Sequence, residues 1–220
     1  MPVITVASLK GGCGKTTTSI NLATGLTSLK RSVVLIEADP QASGNTWAEA
    51  RGDDEPLPFP VVQAARKTLH RDIDQLQGNY EFAIIDTPPR TSAITRSALI
   101  TADILLMPVK PSSFDVWALE ETFQSIEEIQ VVNEALEAYF MVSMAIVGSK
   151  SRNETKSLLA DYADKGKLLN TVIHQRESFA RVADGGTIAE SKDGKALTEV
   201  MMLTREVIKL LNDSKGGSNG

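Results

Sequence analysis

The stretch SLKGGCGKTTTS, residues 8–19, sets two lysines, Lys10 and Lys15, around Gly11, Gly12 and Gly14. Glycines so spaced let successive backbone N–H groups turn into one concavity, and a helix opening directly after them adds the positive end of its dipole. Such a cradle suits a phosphate. Gly11, Gly12, Cys13, Gly14, Lys15, Thr16 and Thr17 would form it, with the Lys15 ammonium reaching the β- and γ-phosphates of a nucleotide and the Thr16 hydroxyl ligating Mg²⁺. The common phosphate-loop pattern opens on a glycine, where this chain has Leu9. It also needs only one lysine, so Lys10 calls for a separate explanation.

Two carboxylates stand at similar places further on. In EADPQAS, residues 37–43, Asp39 follows an apolar run; it can orient an attacking water or hold Mg²⁺ through its water shell, or more plainly cap a turn before Pro40. In FAIIDTPP, residues 82–89, four apolar residues deliver Asp86, the Walker B pattern of a carboxylate beside Mg²⁺. The candidate metal-facing residues are then Thr16, Asp39 and Asp86.

Three such sites can meet only if the strands that carry them end on one side of a sheet. Near-continuous apolar runs at residues 3–8, 33–39, 82–88, 104–110 and 140–148 suit strands buried on both faces, and helical segments fill 15–29, 61–76, 92–102, 116–136 and 155–163. Alternation of this kind gives βαβ units with right-handed crossovers. The expected fold is α/β, a single doubly wound, mostly parallel sheet with helices on both faces, whose ligands gather at the carboxyl ends of the strands. Residues 1–212 read as one domain, DDEPLPFP (53–60) as a connection too short for a domain linker, and 213–220 as a disordered tail.

KGGCGKTT, EADPQAS and IIDTPP, in that order and near those spacings, resemble the deviant Walker ATPases typified by ParA and MinD. The resemblance runs through most of the chain. PVKPSSFDVWAL (108–119) and HQRESFARVADGGTIAES (174–191) are more similar to ParA than to other branches, and especially to the small ParF-type partition ATPases. It implies ATP and Mg²⁺ as cofactors and a homodimer that sandwiches the nucleotide. Lys15 would work in its own subunit, while Lys10 would cross to the phosphates held by the partner; with Asp39, which would position water, these are the catalytic residues implied. Residues 150–153 and 174–179 would border the base and ribose. Hydrolysis would weaken the dimer, so the cycle is a switch with slow turnover in the absence of a partner.

The resemblance further implies partition of plasmid or chromosomal DNA by an ATP dimer that binds the nucleoid without sequence preference. The alternative is the same cycle positioning a protein cargo, such as a carboxysome or chemoreceptor cluster. The phosphate loop begins within ten residues of the first, leaving no room for the N-terminal helix-turn-helix of larger ParA proteins. A small ParB-like or cargo-adaptor protein is therefore expected to supply specificity and stimulate hydrolysis.

Composition narrows the classes. With 220 residues, 42 % of them apolar, the chain can bury one substantial core. A net charge of −5 argues against a generally basic surface but allows a local DNA-contacting patch, for which Arg181, Lys192, Lys195, Arg205 and Lys209 are candidates against a merely solvated face. Aromatic residues make up 5 % without a cluster, so any DNA contact should ignore sequence. The one cysteine, Cys13, cannot form an internal disulfide or hold a cluster, which sets aside a nitrogenase-reductase-like electron donor and suits a reducing cytoplasm. It reads as a small loop filler or a redox group. No apolar stretch approaches the roughly 20 residues of a membrane span, and the C-terminus lacks a basic amphipathic anchor of the MinD kind, so no membrane partner is expected. A dethiobiotin-synthetase-like ligase and a non-hydrolysing scaffold are the other classes, the second disfavoured by Lys15, Asp39 and Asp86. His70 and His174 lack metal-ligand spacing. Asp115 reads as a helix cap or as a dimer or partner contact. A final helix at 197–211 carries an apolar stripe that suits core packing.

Overall fold

The computed structural model describes residues 1–216 except 9, 53, 54, 91 and 118; for 121, 124, 125, 151, 152, 215 and 216 it describes the backbone only. Leu9, the first two residues of the 53–60 connection and residues 217–220 therefore lie outside the described residues.

Seven strands are described: β1 (Val3–Val6), β2 (Val33–Glu37), β3 (Val61–Gln63), β4 (Phe82–Asp86), β5 (Ile104–Val109), β6 (Glu137–Ala145) and β7 (Lys167–His174). They form one sheet in the order β3-β2-β4-β1-β5-β6-β7, and every pairing is parallel. The helices are α1 (Lys15–Ser28), α2 (Ser43–Ala50), α3 (Leu69–Leu76), α4 (Ala93–Ile100), α5 (Ser113–Trp117), α6 (Leu119–Gln130), α7 (Ser151–Ala160), α8 (Glu177–Arg181) and α9 (Gly194–Gly216). The doubly wound α/β architecture is as the sequence implies.

Strand periodicity divides the core. Ile4, Val6, Val33, Leu35, Ile84, Ile104 and Leu106 face one layer with Leu22 and Leu26 of α1 and Leu203, Val207 and Leu211 of α9. Val34, Ile36, Ala83 and Ile85 point the other way, onto Leu69 and Ile73 of α3. Beside them Leu105, Met107 and Phe140 pack against Phe123 and Ile126 of α6 and Leu159 of α7. Each central strand is thus apolar at consecutive positions because both of its faces are covered.

Four segments depart from the sequence reading. Residues 61–76 were expected as one helix, yet Val61–Gln63 pair with β2, Leu35 opposite Val61, and only Leu69–Leu76 are helical. Without β3, β2 would leave a row of unpaired backbone groups at the sheet edge, and two adjacent valines are well suited to fill it. β7 completes the opposite edge, where no strand was expected. The long helix at 116–136 is described as α5 and α6, with Ala118 outside the described residues. α9 is longer than its apolar stripe and runs to Gly216, so residues 213–216 belong to it.

Candidate functional site

β1 ends at Val6, and the loop that follows returns to open α1 at Lys15. Gly12 (φ +71°) and Gly14 (φ +92°) hold left-handed conformations that side chains rarely adopt, so these two need glycine. Gly11 does not, since φ is ordinary and a Cβ there would meet nothing within 4 Å. Gly14 caps α1 with no side-chain hydrogen bond, which leaves the N–H groups of the first turn unclaimed by a capping side chain. Cys13 is 1 % exposed, its thiol donating to the Lys10 carbonyl and its own carbonyl accepting from Ser143 of β6 at 2.8 Å. It packs the loop against the sheet, in keeping with a loop filler.

The lysines diverge. Lys15 is buried and its Nζ donates to the Lys10 carbonyl at 3.4 Å, whereas Lys10 turns its own Nζ out to Asp115 Oδ2 at 2.9 Å. Asp115 lies inside α5 and is buried, so it is not an N-cap; its Oδ1 has no hydrogen-bond partner among the described residues. A third lysine, Lys110, comes to the same loop: its Nζ lies 3.9 Å from the position a Cβ on Gly12 would take. Only the fold could reveal it, because Lys110 follows β5 and reaches the loop by strand adjacency.

On the other side of β1, Asp86 accepts from Thr16 Oγ1 at 2.5 Å and from Ser19 Oγ at 3.1 Å. Glu37 is its register neighbour on β2, also fully buried, and accepts from the backbone N–H groups of Asp39 (2.9 Å) and Gly44 (2.5 Å). A Cβ at Gly44 would come within 2.8 Å of the Glu37 carboxylate. Burial pushes the Asp86 carboxyl up to about 7 and the charge of Glu37 adds to this, against the hydroxyls of Thr16 and Ser19 and the charge of Lys15. Burial likewise raises Glu37. Glu37 is a residue the sequence reading passed over; its signal was a charged residue inside a run otherwise buried on both faces.

Asp39 is half-buried just beyond β2, and its Oδ1 accepts from Gln41 N at 2.9 Å, the turn cap considered for it. The fold therefore brings Thr16 and Asp86 into contact and keeps Asp39 in its turn. Among the described residues no three His, Cys, Asp or Glu side chains gather as a metal cage. A divalent cation accompanied by phosphate oxygens fits better: it needs one or two carboxylates plus a hydroxyl, and a buried carboxyl pushed toward neutrality is the group such a cation would restore to its charged form.

Beyond the loop a cavity of about 770 Å³ is lined by Gly14, Thr17 and Thr18, by Ser143 and Met144 of β6, and by Ile173 to Glu177, Phe179 and Ala180. Part of the expected nucleoside border, His174 to Glu177 and Phe179, is in this wall, while Lys150 and Asn153 are not. The side chains of Ser151 and Arg152 lie outside the described residues. His174 Nδ1 bonds Glu199 at 2.9 Å, and His70 bonds Ser97 at 2.8 Å.

The VirC1 protein family model matches residues 1–214. This chain belongs to that family of ParA/MinD-type ATPases. It is 30 % identical over 210 residues to maintenance of carboxysome distribution protein A of Halothiobacillus neapolitanus, covering 93 % of this chain and 95 % of the relative. Protein ParA of Rhizobium radiobacter is 25 % identical over 194 residues, 87 % of each. The ATP complex of a Cyanothece McdA variant superposes with a TM-score of 0.78 at 18 % identity, over 94 % of this chain and 96 % of that one, a likeness of fold. No helix among the described residues is long and apolar enough to cross a membrane.

Proposed function

We propose that this ParA/MinD-type ATPase hydrolyses ATP with Mg²⁺, closes as a homodimer around the nucleotide, holds nucleoid DNA without sequence preference in that state, and is released when a partner stimulates hydrolysis. The observation that carries the reading is the divergence of the two lysines, Lys15 inside the loop and Lys10 on its rim in an ion pair with Asp115. In this reading the cation on the rim leaves Asp115 to meet a phosphate presented by a second copy. Next to Asp115, Phe114 and Trp117 are 74 % and 56 % exposed and contact each other edge to face, an apolar patch suited to burial in such a dimer.

In this reading Lys15 and the N–H groups of the loop bind the β- and γ-phosphates. Thr16 and Asp86 hold the Mg²⁺, which screens phosphate charge as the γ-phosphoryl group transfers. Asp39, freed from its bond to Gln41, orients the attacking water, and Glu37 fixes the backbone on which Asp39 sits. Lys10 of each copy offsets charge at the other's phosphates.

For DNA, Arg205 and Lys209 lie exposed on α9 around a concavity shared with Arg31, and neither forms an ion pair among the described residues. Arg181 is less available, being paired with Glu177 at 2.5 Å. Such a local patch would bind phosphates non-specifically despite the acidic total. DNA partition, with a small ParB-like adaptor, is the first reading for the cargo. Positioning of a protein cargo over the nucleoid is the second, favoured by the carboxysome relative matched over nearly its whole length.

Retention on non-specific DNA, with and without ATP, at low and raised salt and against liposomes, tests the cycle. ATP-dependent, salt-sensitive retention on DNA is expected. Retention on liposomes alone would sink the reading, and DNA binding indifferent to nucleotide would remove the switch.

A further inference from the structure

The wall of the 770 Å³ cavity opposite the phosphate loop is the end of β7 and the turn into α8, and that wall does not stand unaided. One carboxylate of the last helix, Glu199, accepts three hydrogen bonds from it: from the His174 backbone N–H at 3.0 Å, from His174 Nδ1 at 2.9 Å and from Arg176 Nη2 at 2.5 Å. Glu199 and Arg176 are both largely buried, so this charge-assisted bond is shielded from water and worth more than a surface pair. It fixes the guanidinium plane at the cavity wall.

That plane carries an unused donor. Arg176 Nε is buried and has no hydrogen-bond partner among the described residues. A buried N–H left unpaired is costly, and Arg176 lines the cavity, so a small turn of its guanidinium as a ligand enters would give Nε–H an acceptor. A nucleobase and a ribose both supply such acceptors; a bare polyphosphate, held at the other end by Lys15 and the loop, does not extend to it.

The helix that supplies Glu199 also packs on the helix that follows the phosphate loop. α9 lies directly on α1, so close that a Cβ at Gly25 would come within 2.0 Å of Thr204 Oγ1. Glu206, further along α9, accepts from the N–H groups of Asn170 and Thr171 and from both of their side chains, which ties the start of β7 to the same helix. One helix thus holds β7 along its length and packs it together with α1.

Building on the ATP-site reading, we propose that Glu199 is a positioning residue for the nucleoside half of the cleft: from α9 it holds Arg176 so that the free Nε–H donates to the nucleoside of bound ATP. Affinity for the nucleoside, though not for the phosphates, then depends on how α9 is seated.

Direct binding of ATP and of inorganic tripolyphosphate to the full chain separates the two contributions. Glu199→Ala is expected to weaken ATP binding about tenfold or more, the range for a lost hydrogen bond to a charged group, and to leave tripolyphosphate within about twofold of wild type. Arg176→Lys keeps the charge, removes Nε–H and leaves Glu199 its two bonds to His174, so it should show the same selective loss even if Glu199→Ala folds poorly. ATP binding unchanged in Arg176→Lys, or equal losses for ATP and tripolyphosphate in both variants, would overturn the assignment. Failure of the wild-type chain to bind ATP at all would instead overturn the ATP-site reading.

Discussion

The two ends of the cleft are built in opposite ways. At the proposed phosphate end, Gly12, Gly14, Lys15 and Thr16 lie within one short stretch, and the backbone itself would be the binding group. The proposed nucleoside end is gathered from β6, β7 and α8, more than a hundred residues later, and would bind through side chains that others must hold, as Glu199 of α9 holds Arg176. A contiguous loop needs the correct φ angles and little more. An assembled wall depends on every element behind it, so it is the part of the site that a distant event on α9 can reach.

Substitutions at the phosphate end should give the largest losses and should not distinguish ATP from tripolyphosphate. Lys15→Ala removes the one buried cation of the loop, and nucleotide and tripolyphosphate binding should both fall below detection in calorimetry. Retained ATP affinity would break the comparison at its stronger end. Asp39→Ala takes a carboxylate from an exposed turn, so binding and ATP-dependent dimerisation should persist while hydrolysis drops by about a hundredfold or more, the scale of a lost water-orienting group. Light scattering with ATP checks it: a variant that binds tightly but stays monomeric contradicts the sandwich.

Lys10→Ala should fall between these, keeping monomer affinity within a few-fold while losing most dimer-dependent turnover. Normal hydrolysis by this variant would assign Lys10 to its resting pair with Asp115 and nothing more.

Gly25→Ala tests the seating of α9 on α1. The added methyl meets Thr204, and overpacking of this kind costs about 1–3 kcal/mol, measurable as a lower urea midpoint. If the cleft is coupled through α9, ATP affinity should fall further than tripolyphosphate affinity.

The smallest effect is the pH dependence of that helix. Burial raises the Glu206 carboxyl, but its hydrogen bonds to Thr171 and Asn170 outweigh this and hold it below the usual carboxylate range. Its stabilisation is therefore complete above the unfolded pKa and is lost as pH falls through the lower folded value, because the unfolded chain takes up its proton first. Glu206→Gln should flatten the acid limb of thermal stability below about pH 4.5 and leave the neutral plateau slightly lower. An unchanged slope would show that this carboxylate does not clamp α9.

Legibility in the sequence follows the same division. β1, β2, β4 and β5 could be read because each is an unbroken apolar run covered on both faces. Asp86 and Asp39 could be placed because each follows such a run. β3 could not: its exposed Val62 and Gln63 carry no burial pattern, and what makes them a strand is the open edge of β2. β7 mixes exposed and buried positions without clean alternation, since it is an edge strand with a register shift against β6. Glu37 lay inside a motif already singled out, yet a buried carboxylate gains meaning only when Asp86 proves to be its register neighbour. Arg176 falls within the 174–179 border that the resemblance implies, whereas Lys110 and Glu199 are separated from the loop by strands and helices, and no spacing in the chain announces them.

The sequence by itself determined the α/β class, the strand ends where chemistry gathers, and the phosphate loop with its extra lysine. Those are local properties, set by residue size, hydropathy period and the freedom of glycine. Tertiary structure alone decided that Lys10 pairs with Asp115, that Asp39 rests in its turn while Thr16 and Asp86 meet, and that the last helix props the end of β7. The reason is physical: a buried charge takes whichever partner the packing brings within about 3 Å, and packing is a property of the whole chain.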